Sequence, residues 1–459
     1  MIRLFRVSIP SSVIALVALE TVVIVSCYSL AAHFVLDEDL QFYLIDDRGW
    51  LPIAVMTVVI QLGLYFQDLY ENLRPRSGIL LAQQISLVLG VGFLLQAMLG
   101  YGRSTLELNK WTMTYGSLLV LLVLPVWRMA YYSVISKGLP PERLLFLGTS
   151  STLQQIAVRL AERPELGLAL MGYLNATTAE WSAPLLGDVD DLYRVVRAHH
   201  PDRIVVGLSE GRGRLPVQQL LDVRFSGVQI EEAATMFERV FGRISIQNLR
   251  PSQLIFSAEM GPRRWSITLQ NIYSMILGML GIIITLPIMA VVALLVKFTS
   301  PGPILLRQTR VGLQGKHFTL YKFRSMYADA EARTGAVWAV KDDPRITPVG
   351  RWIRRLRLDE LPQFFNVIRN EMSIVGPRPE RPEFSAMLEE KIPFYKQRHW
   401  VKPGITGWAQ INHKYGDTVE DSMVKLEYDL YYIKHLAPAL DAYIILNTLK
   451  VMLLSRGAQ

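Results

Sequence analysis

Long apolar runs alternate with short charged stretches through the first third of the chain. Four runs lie near residues 11–36, 50–68, 79–100 and 112–135, each about long enough to cross a bilayer as a helix. Arg3 and Arg6 precede the first run, while Asp37, Glu38, Asp39, Asp46 and Asp47 crowd the loop after it. Arg74 and Arg76 fall in the second loop, and Arg128, Lys137 and Arg143 flank the end of the fourth run. The third loop, with Arg103, Glu107 and Lys110, is mixed. This asymmetry predicts a four-helix membrane region over residues 1–138 with both ends cytoplasmic. The first run lacks a small-residue cleavage site and three more follow it, so it reads as an anchor rather than a signal peptide. Glu20 intrudes into the first run, where a carboxyl satisfied within the bundle is expected.

Over residues 139–262 the pattern changes to short buried strands between amphipathic stretches. Arg143–Gly148 reads as a strand ending in glycine and Thr152–Glu162 as a helix. Arg203–Gly207 and Val228–Ile230 read as further strands. That rhythm predicts a soluble Rossmann-like α/β domain with a parallel sheet. The Gly148-Thr149-Ser150-Ser151 turn lacks the second and third glycines of a dinucleotide fingerprint, so a structural or regulatory module is expected.

A fifth apolar run, about Ile272–Val296, contains Pro287 and is flanked by Arg263 and Arg264 before it and Lys297 after it. Basic residues at both ends favour a helix broken at proline that enters and leaves the membrane on one side; a kinked span is the rival. Beyond it, Ile304–Gln308 and His317–Phe323 read as strands of a hairpin joined through Gly312–Gly315. Arg310, Lys322 and Arg324 accompany this hairpin. The stretch Arg351–Pro379 then sets Arg351, Arg354, Arg355 and Arg357 before the adjacent carboxylates Asp359 and Glu360. Apolar residues follow at helical spacing, up to Gly376-Pro377-Arg378-Pro379. Asp359 occupies an N-cap position with Pro362 in the first turn. A helix start among arginines is an anion site, and a carboxylate there stays ionised and can act as nucleophile or metal ligand. The same spacing suits an ordinary N-cap beside a solvated basic helix. A glycine-punctuated loop, Val401–Gln410, carries Lys402, and an apolar helix is expected from about Leu440 to Leu454.

Composition agrees with a membrane protein, since 51% of the residues are hydrophobic. The net charge of +8 is concentrated: residues 297–402 hold 20 Lys and Arg against 11 Asp and Glu. Such a segment prefers anionic lipid surfaces or phosphorylated substrates, and no nucleic-acid-binding motif is present. The single cysteine, Cys27, rules out a disulfide framework or a cysteine metal site.

Four motifs, in order after the proline-broken helix, carry a resemblance: SPGPILLRQTRVGLQGKHFTLYKFRSM, RRLRLDELPQFFNV, SIVGPRP and KPGITGWAQIN. Over about residues 265–459 the chain resembles bacterial polyprenyl-phosphate hexose-1-phosphate transferases, the monotopic phosphoglycosyl transferase superfamily. The N-terminal helices and the Rossmann-like segment are similar to its long form, the exopolysaccharide-initiating undecaprenyl-phosphate glucose or galactose phosphotransferases. The resemblance implies a monotopic α/β catalytic domain over residues 263–459 with a re-entrant membrane helix at about 272–296 broken at Pro287. It implies transfer of hexose-1-phosphate from a UDP-hexose to undecaprenyl phosphate with release of UMP. It also implies Mg²⁺, contact with membrane lipids, a homodimer, and catalytic and Rossmann-like domains on the cytoplasmic face of the bacterial inner membrane. Asp359 would be the nucleophile, with Asp359 and Glu360 holding the metal. Arg354, Lys322, Arg324, Arg378 and Lys402 would bind substrate phosphate. Lys402 stands where many relatives have arginine, and Leu286 where small-form relatives have serine before the proline. The rival reading is a non-catalytic membrane scaffold whose Rossmann-like unit senses a nucleotide; the intact Asp359–Glu360 pair argues against it.

Overall fold

The computed structural model describes residues 2–453 apart from 5–6, 10, 37–39, 68, 71–77, 103–105, 139–140, 176–182, 208–214, 247–263, 328–329, 331–342 and 414–417. The loop charges Asp37, Glu38, Asp39, Arg74, Arg76 and Arg103, and the flanking Arg263, lie outside the described residues.

A short antiparallel pair, β1 (Ile2–Leu4) and β2 (Val7–Ile9), precedes the membrane region. Helices α1 (Ser11–Val35), α2 (Leu40–Ile45), α3 (Trp50–Phe66), α4 (Gly78–Gly102) and α5 (Lys110–Gly138) follow. The four long ones share a core that includes Tyr28, Met56, Ile85 and Leu124. Their outer faces are also apolar, with Val22, Leu94, Leu122 and Val126 exposed, as a helix facing lipid requires. The chain is a membrane protein by this criterion. Among the described residues, three helices are long and apolar enough to span: Val13–Val35, Lys110–Ser133 and Arg264–Thr299. The four apolar runs expected near 11–36, 50–68, 79–100 and 112–135 fall on α1, α3, α4 and α5. Trp50–Phe66 has 17 residues, about 26 Å of helix against a hydrocarbon core of about 30 Å. Glu20 is satisfied inside the bundle. Arg128 donates to it through Nε at 2.5 Å and Nη2 at 3.0 Å, and the Tyr70 hydroxyl donates at 2.7 Å.

The middle unit is mixed α/β with a five-stranded, all-parallel sheet. Its elements are β3 (Glu142–Leu147), α6 (Ser151–Glu162), β4 (Leu168–Leu174), β5 (Leu185–Gly187), α7 (Leu192–His199), β6 (Arg203–Val206), α8 (Val217–Phe225), β7 (Gln229–Glu232) and α9 (Ala233–Phe241). The strand order is β5-β4-β3-β6-β7. Alternate residues of the central strand point to opposite faces. Leu144 and Phe146 enter one core, Leu145 and Leu147 the other. The Ser150 side chain caps α6 by accepting from the Leu153 amide.

The C-terminal unit begins with α10 (Arg264–Thr299), one helix of 36 residues. Pro287 does not divide it into two helices. The proline removes the donor for the Ile283 carbonyl. Two residues before the proline, the Thr285 hydroxyl donates to the Gly281 carbonyl at 2.6 Å, the i−4 back-bond that a threonine makes inside a helix. Next come the antiparallel strands β8 (Leu305–Val311) and β9 (His317–Phe323), then α11 (Pro348–Arg355), α12 (Gln363–Ile368), β10 (Ser373–Val375), α13 (Pro382–Lys391), β11 (Gly404–Thr406), α14 (Trp408–Asn412), α15 (Val419–His435) and α16 (Pro438–Leu453). The domain holds α10 near both ends. Gln270 donates to Tyr432 at 2.6 Å and to Asp441 at 2.8 Å, while Met289, Val292 and Val296 pack with Phe323 and Ile353. The middle unit docks on this domain. Lys434 donates to Glu238 at 2.8 Å, Trp408 Nε1 to the Gly242 carbonyl at 2.7 Å, and Ile244 and Ile246 enter the C-terminal core.

Candidate active site

The site is assembled where three segments far apart in sequence converge on the Asp359–Glu360 pair. Helix α11 starts at Thr347, whose hydroxyl accepts from the Gly350 amide at 2.9 Å. Gly350 lets this helix approach the chain just after β9: a Cβ there would lie 1.9 Å from the Ser325 carbonyl oxygen. The helix ends as Arg357 enters the left-handed region at φ 54°, and Leu358–Glu360 form a 3₁₀ turn. Asp359 is therefore not a helix N-cap. Helix α12 begins only at Gln363, with Pro362 before it, because the left-handed arginine inserts a separate turn between the basic helix and the apolar one.

The two carboxylates occupy opposite environments. Glu360 Oε1 receives Lys322 Nζ from β9 at 3.0 Å and Arg378 Nη2 at 2.9 Å, and Arg357 Nη1 lies 3.8 Å from Oε2. Burial alone would raise its pKa, but Lys322, Arg378 and Arg357 together hold Glu360 far below the usual carboxylate range. Asp359 is 9% exposed, and among the described residues its carboxylate accepts no hydrogen bond and makes no ion pair. Burial raises its pKa, with the Glu360 charge adding to the effect, against the opposing pull of Lys322, Arg354 and Arg378. The neighbouring cations oppose that rise without cancelling it. Two adjacent acids pushed in opposite directions are a pattern of divided chemical roles.

Arg378 sits on a loop held by its backbone. Strands β10 and β11 pair in parallel, Ser373 with Gly404 and Val375 with Thr406. A Cβ on Gly404 would stand 2.1 Å from the Gly376 amide nitrogen, so the two glycine motifs are one closely packed unit. Arg398 donates to the Arg378 carbonyl at 3.0 Å and to Asp429 at 2.9 Å, while Arg310 donates to the Pro379 carbonyl at 3.0 Å. Asn366, fully buried on α12, fixes the strand that bears Lys322. Its amide donates to the Thr319 carbonyl at 2.7 Å and accepts from the Tyr321 amide at 3.1 Å. Sequence reading missed Arg398, Asp429 and Asn366, and no local pattern around them signals the task.

Of the expected phosphate ligands, Lys322 and Arg378 meet at Glu360, and Arg354 acts electrostatically on Asp359. Arg324 has another task. It is 5% exposed and donates to the Pro301 carbonyl at 2.6 Å, the Ser300 carbonyl at 2.8 Å and the Ser300 hydroxyl at 2.8 Å, tying down the end of α10. Lys402 donates to Asn271 at 2.7 Å and to Asn370, between α10 and the end of α12, and burial lowers its pKa. Neither of these two is paired with the carboxylates.

Among the described residues no three His, Cys, Asp or Glu side chains cluster as a metal site. Magnesium, however, is commonly held by one or two carboxylates together with substrate phosphate and water. Asp359 fits that pattern as an uncommitted oxygen donor. Glu360 does not, because both its oxygens face cations.

Residues 265–455 match the family model described as bacterial sugar transferase. The chain is 40% identical over 222 residues to a UDP-N-acetylgalactosamine-undecaprenyl-phosphate N-acetylgalactosaminephosphotransferase of Aeromonas hydrophila, covering 48% of this chain and 52% of that protein. It is 34% identical to an undecaprenyl-phosphate glucose phosphotransferase of Komagataeibacter xylinus, covering 69% and 60%. Identity is 35% to a UDP-glucose:undecaprenyl-phosphate glucose-1-phosphate transferase of Klebsiella pneumoniae, covering 68% of each chain. The matches thus span from about half to two thirds of these relatives' lengths.

Proposed function

Because the chain belongs to the bacterial sugar transferase family, we propose that it transfers hexose-1-phosphate from a UDP-sugar to undecaprenyl phosphate, releasing UMP, as a committing step of exopolysaccharide or related glycan assembly. The observation that carries this reading is the divided pair: Glu360 locked among cations, and Asp359 buried beside them without a partner. An Asp359 oxygen attacks the sugar-bearing phosphorus, an O–P bond forms, and the bond to UMP breaks. An oxygen of undecaprenyl phosphate then attacks the same phosphorus, breaking the acyl phosphate and restoring the carboxylate. Desolvation leaves Asp359 more basic and hence more nucleophilic. Arg354, Lys322 and Arg378 offset the charge of the diphosphate it approaches. Asp359 would be the residue that holds a magnesium ion, which would supply further charge neutralisation.

Helix α10 is re-entrant in this reading, with the active site on the cytoplasmic face. Support comes from one domain gripping the helix near both ends, at Gln270 and at Ser300. The Rossmann-like reading of the middle unit draws support from its strand order, which runs outward from a central first strand. The test of the reaction is a burst of UMP. Enzyme and UDP-sugar alone should release UMP in amounts stoichiometric with enzyme, leaving sugar phosphate trapped on the protein. Asp359→Asn should lower the burst by at least about a thousandfold while remaining folded. Undiminished release from the Asn variant would overturn the assignment.

A further inference from the structure

Helix α12 carries two buried side-chain amides one turn apart, and they are treated very differently. Asn366 makes three hydrogen bonds, to the Thr319 carbonyl, the Tyr321 amide and Glu371. Gln363 is 4% exposed, yet among the described residues it makes none. Its amide oxygen and nitrogen are not sealed off from solvent, so an incoming group can reach them and take up the bonding capacity that the protein leaves unused. The Gln363 side chain lines a small recess together with Arg310, Lys322 and Arg378. The space is about 10 Å³, enough for one oxygen-sized group and too small for a sugar or a base. Two of the three cations, Lys322 and Arg378, are those that also contact Glu360. A recess of that size, with three cations and an uncommitted amide around it, suits a single anionic oxygen.

We propose that Gln363 is a substrate-contacting residue whose amide N–H donates to a non-bridging phosphoryl oxygen seated in this recess. The assignment rests on the phosphoryl-transfer reading above and adds to it a neutral donor beside the cations. A neutral amide gives direction without adding charge, so the oxygen is fixed relative to Asp359 while Lys322 and Arg378 supply the field. The phosphoryl oxygen belongs either to the UDP-sugar or to undecaprenyl phosphate, and the two half-reactions separate these sources.

The experiment compares Gln363→Met, close in volume and apolar, with Gln363→Glu, close in shape and anionic. If the amide only fills space, Gln363→Met should keep or raise the melting temperature and leave both half-reactions within twofold. We expect instead a wild-type melting temperature with a tenfold or greater loss in one half-reaction. Loss of the UMP burst places the oxygen on the donor; loss only of discharge by undecaprenyl phosphate places it on the acceptor. Gln363→Glu should lose more in the same step, through repulsion of the anion. It remains informative should the Met variant fail to fold. Both half-reactions within twofold of wild type in the folded variants would mean that the recess holds water only, and the proposal fails. Should the wild-type protein release no UMP from any UDP-sugar, the transfer reading fails separately. Melting in inorganic pyrophosphate then decides on Gln363. Stabilisation of wild type but not of Gln363→Met supports the contact, whereas equal stabilisation, or none in wild type, overturns it.

Discussion

Asp441, on α16, shows how a single side chain can be expensive and still retained. It is 1% exposed and accepts from Gln270 at 2.8 Å, from Tyr432 at 2.8 Å and from Tyr273, with no cation paired to it among the described residues. Burial, partly offset by these three donors, pushes its pKa up to about 6 from 3.8. The folded state therefore holds a proton that the unfolded chain has released between those two values. Its contribution to stability is full below about 3.8, falls as pH rises through that window, and is gone above about 6. The swing is roughly 3 kcal/mol. Asp441→Asn should flatten this part of the pH–stability curve in thermal unfolding; equal slopes for variant and wild type between about pH 4 and 6 would contradict the account. At this scale the sequence is only partly legible. The Asp359–Glu360 pair stands out by adjacency, but its asymmetry depends on Lys322 and Arg378 reaching one Glu360 oxygen from either side in sequence. Arg324 misled for a related reason. It follows Lys322 by two, which would share a strand face, but the strand ends at Phe323 and Arg324 turns to the end of α10 instead.

Among elements, α10 and α12 form the contact on which the carboxylate turn rests. A Cβ on Gly281 would fall 2.8 Å from the Phe364 ring, and one on Gly278 would fall 3.0 Å from Val367. Gly281→Leu should therefore push α12 and the preceding Leu358–Glu360 turn away from the membrane helix. The expected effect is a loss of about 1–3 kcal/mol in stability, with a fall in turnover larger than the change in donor KM. Unchanged stability and turnover would show that the two helices can separate freely. The strands and helices themselves were largely readable, because alternation and helical spacing are local: β3, α6, β6 and the β8–β9 hairpin lie where the pattern puts them. Strands β4 and β5 were not read. Leu168–Leu174 is interrupted by Gly172, against whose position Leu186 and the Pro184 carbonyl pack closely. The break before α12 was equally hidden, since nothing in the Arg357 side chain marks a left-handed backbone.

For the molecule as a whole, the question is on which side of the membrane each end of α10 emerges. Cys27 is the sole cysteine and is buried, so its replacement by serine leaves a background for single probes. Ser300 is a poor probe position because it is engaged by Arg324, but Arg264 and Thr299 are exposed. Arg264→Cys and Thr299→Cys should both resist an impermeant thiol reagent in intact cells and react once the cells are opened. Labelling of Thr299→Cys from outside would make α10 a span and place Asp359 away from cytoplasmic UDP-sugars. Charge flanking the apolar run is the sequence feature from which this topology is expected. The docking of the middle unit through Glu238, Lys434 and Trp408 was not readable, because it joins residues nearly two hundred positions apart.

The anchoring of Ser300 by Arg324 has a mechanical side. Arg324 lies two residues beyond Lys322, and its guanidinium clasps the last turn of α10. The helix end and the cation facing the carboxylates thus move as one body. In the re-entrant reading proposed above, the clasp would set the height of Lys322 above the headgroup plane. Acyl-chain length then acts as a gauge on catalysis. In vesicles of graded bilayer thickness, discharge by undecaprenyl phosphate should pass through an optimum, and Arg324→Lys, with fewer donors for the clasp, should broaden it.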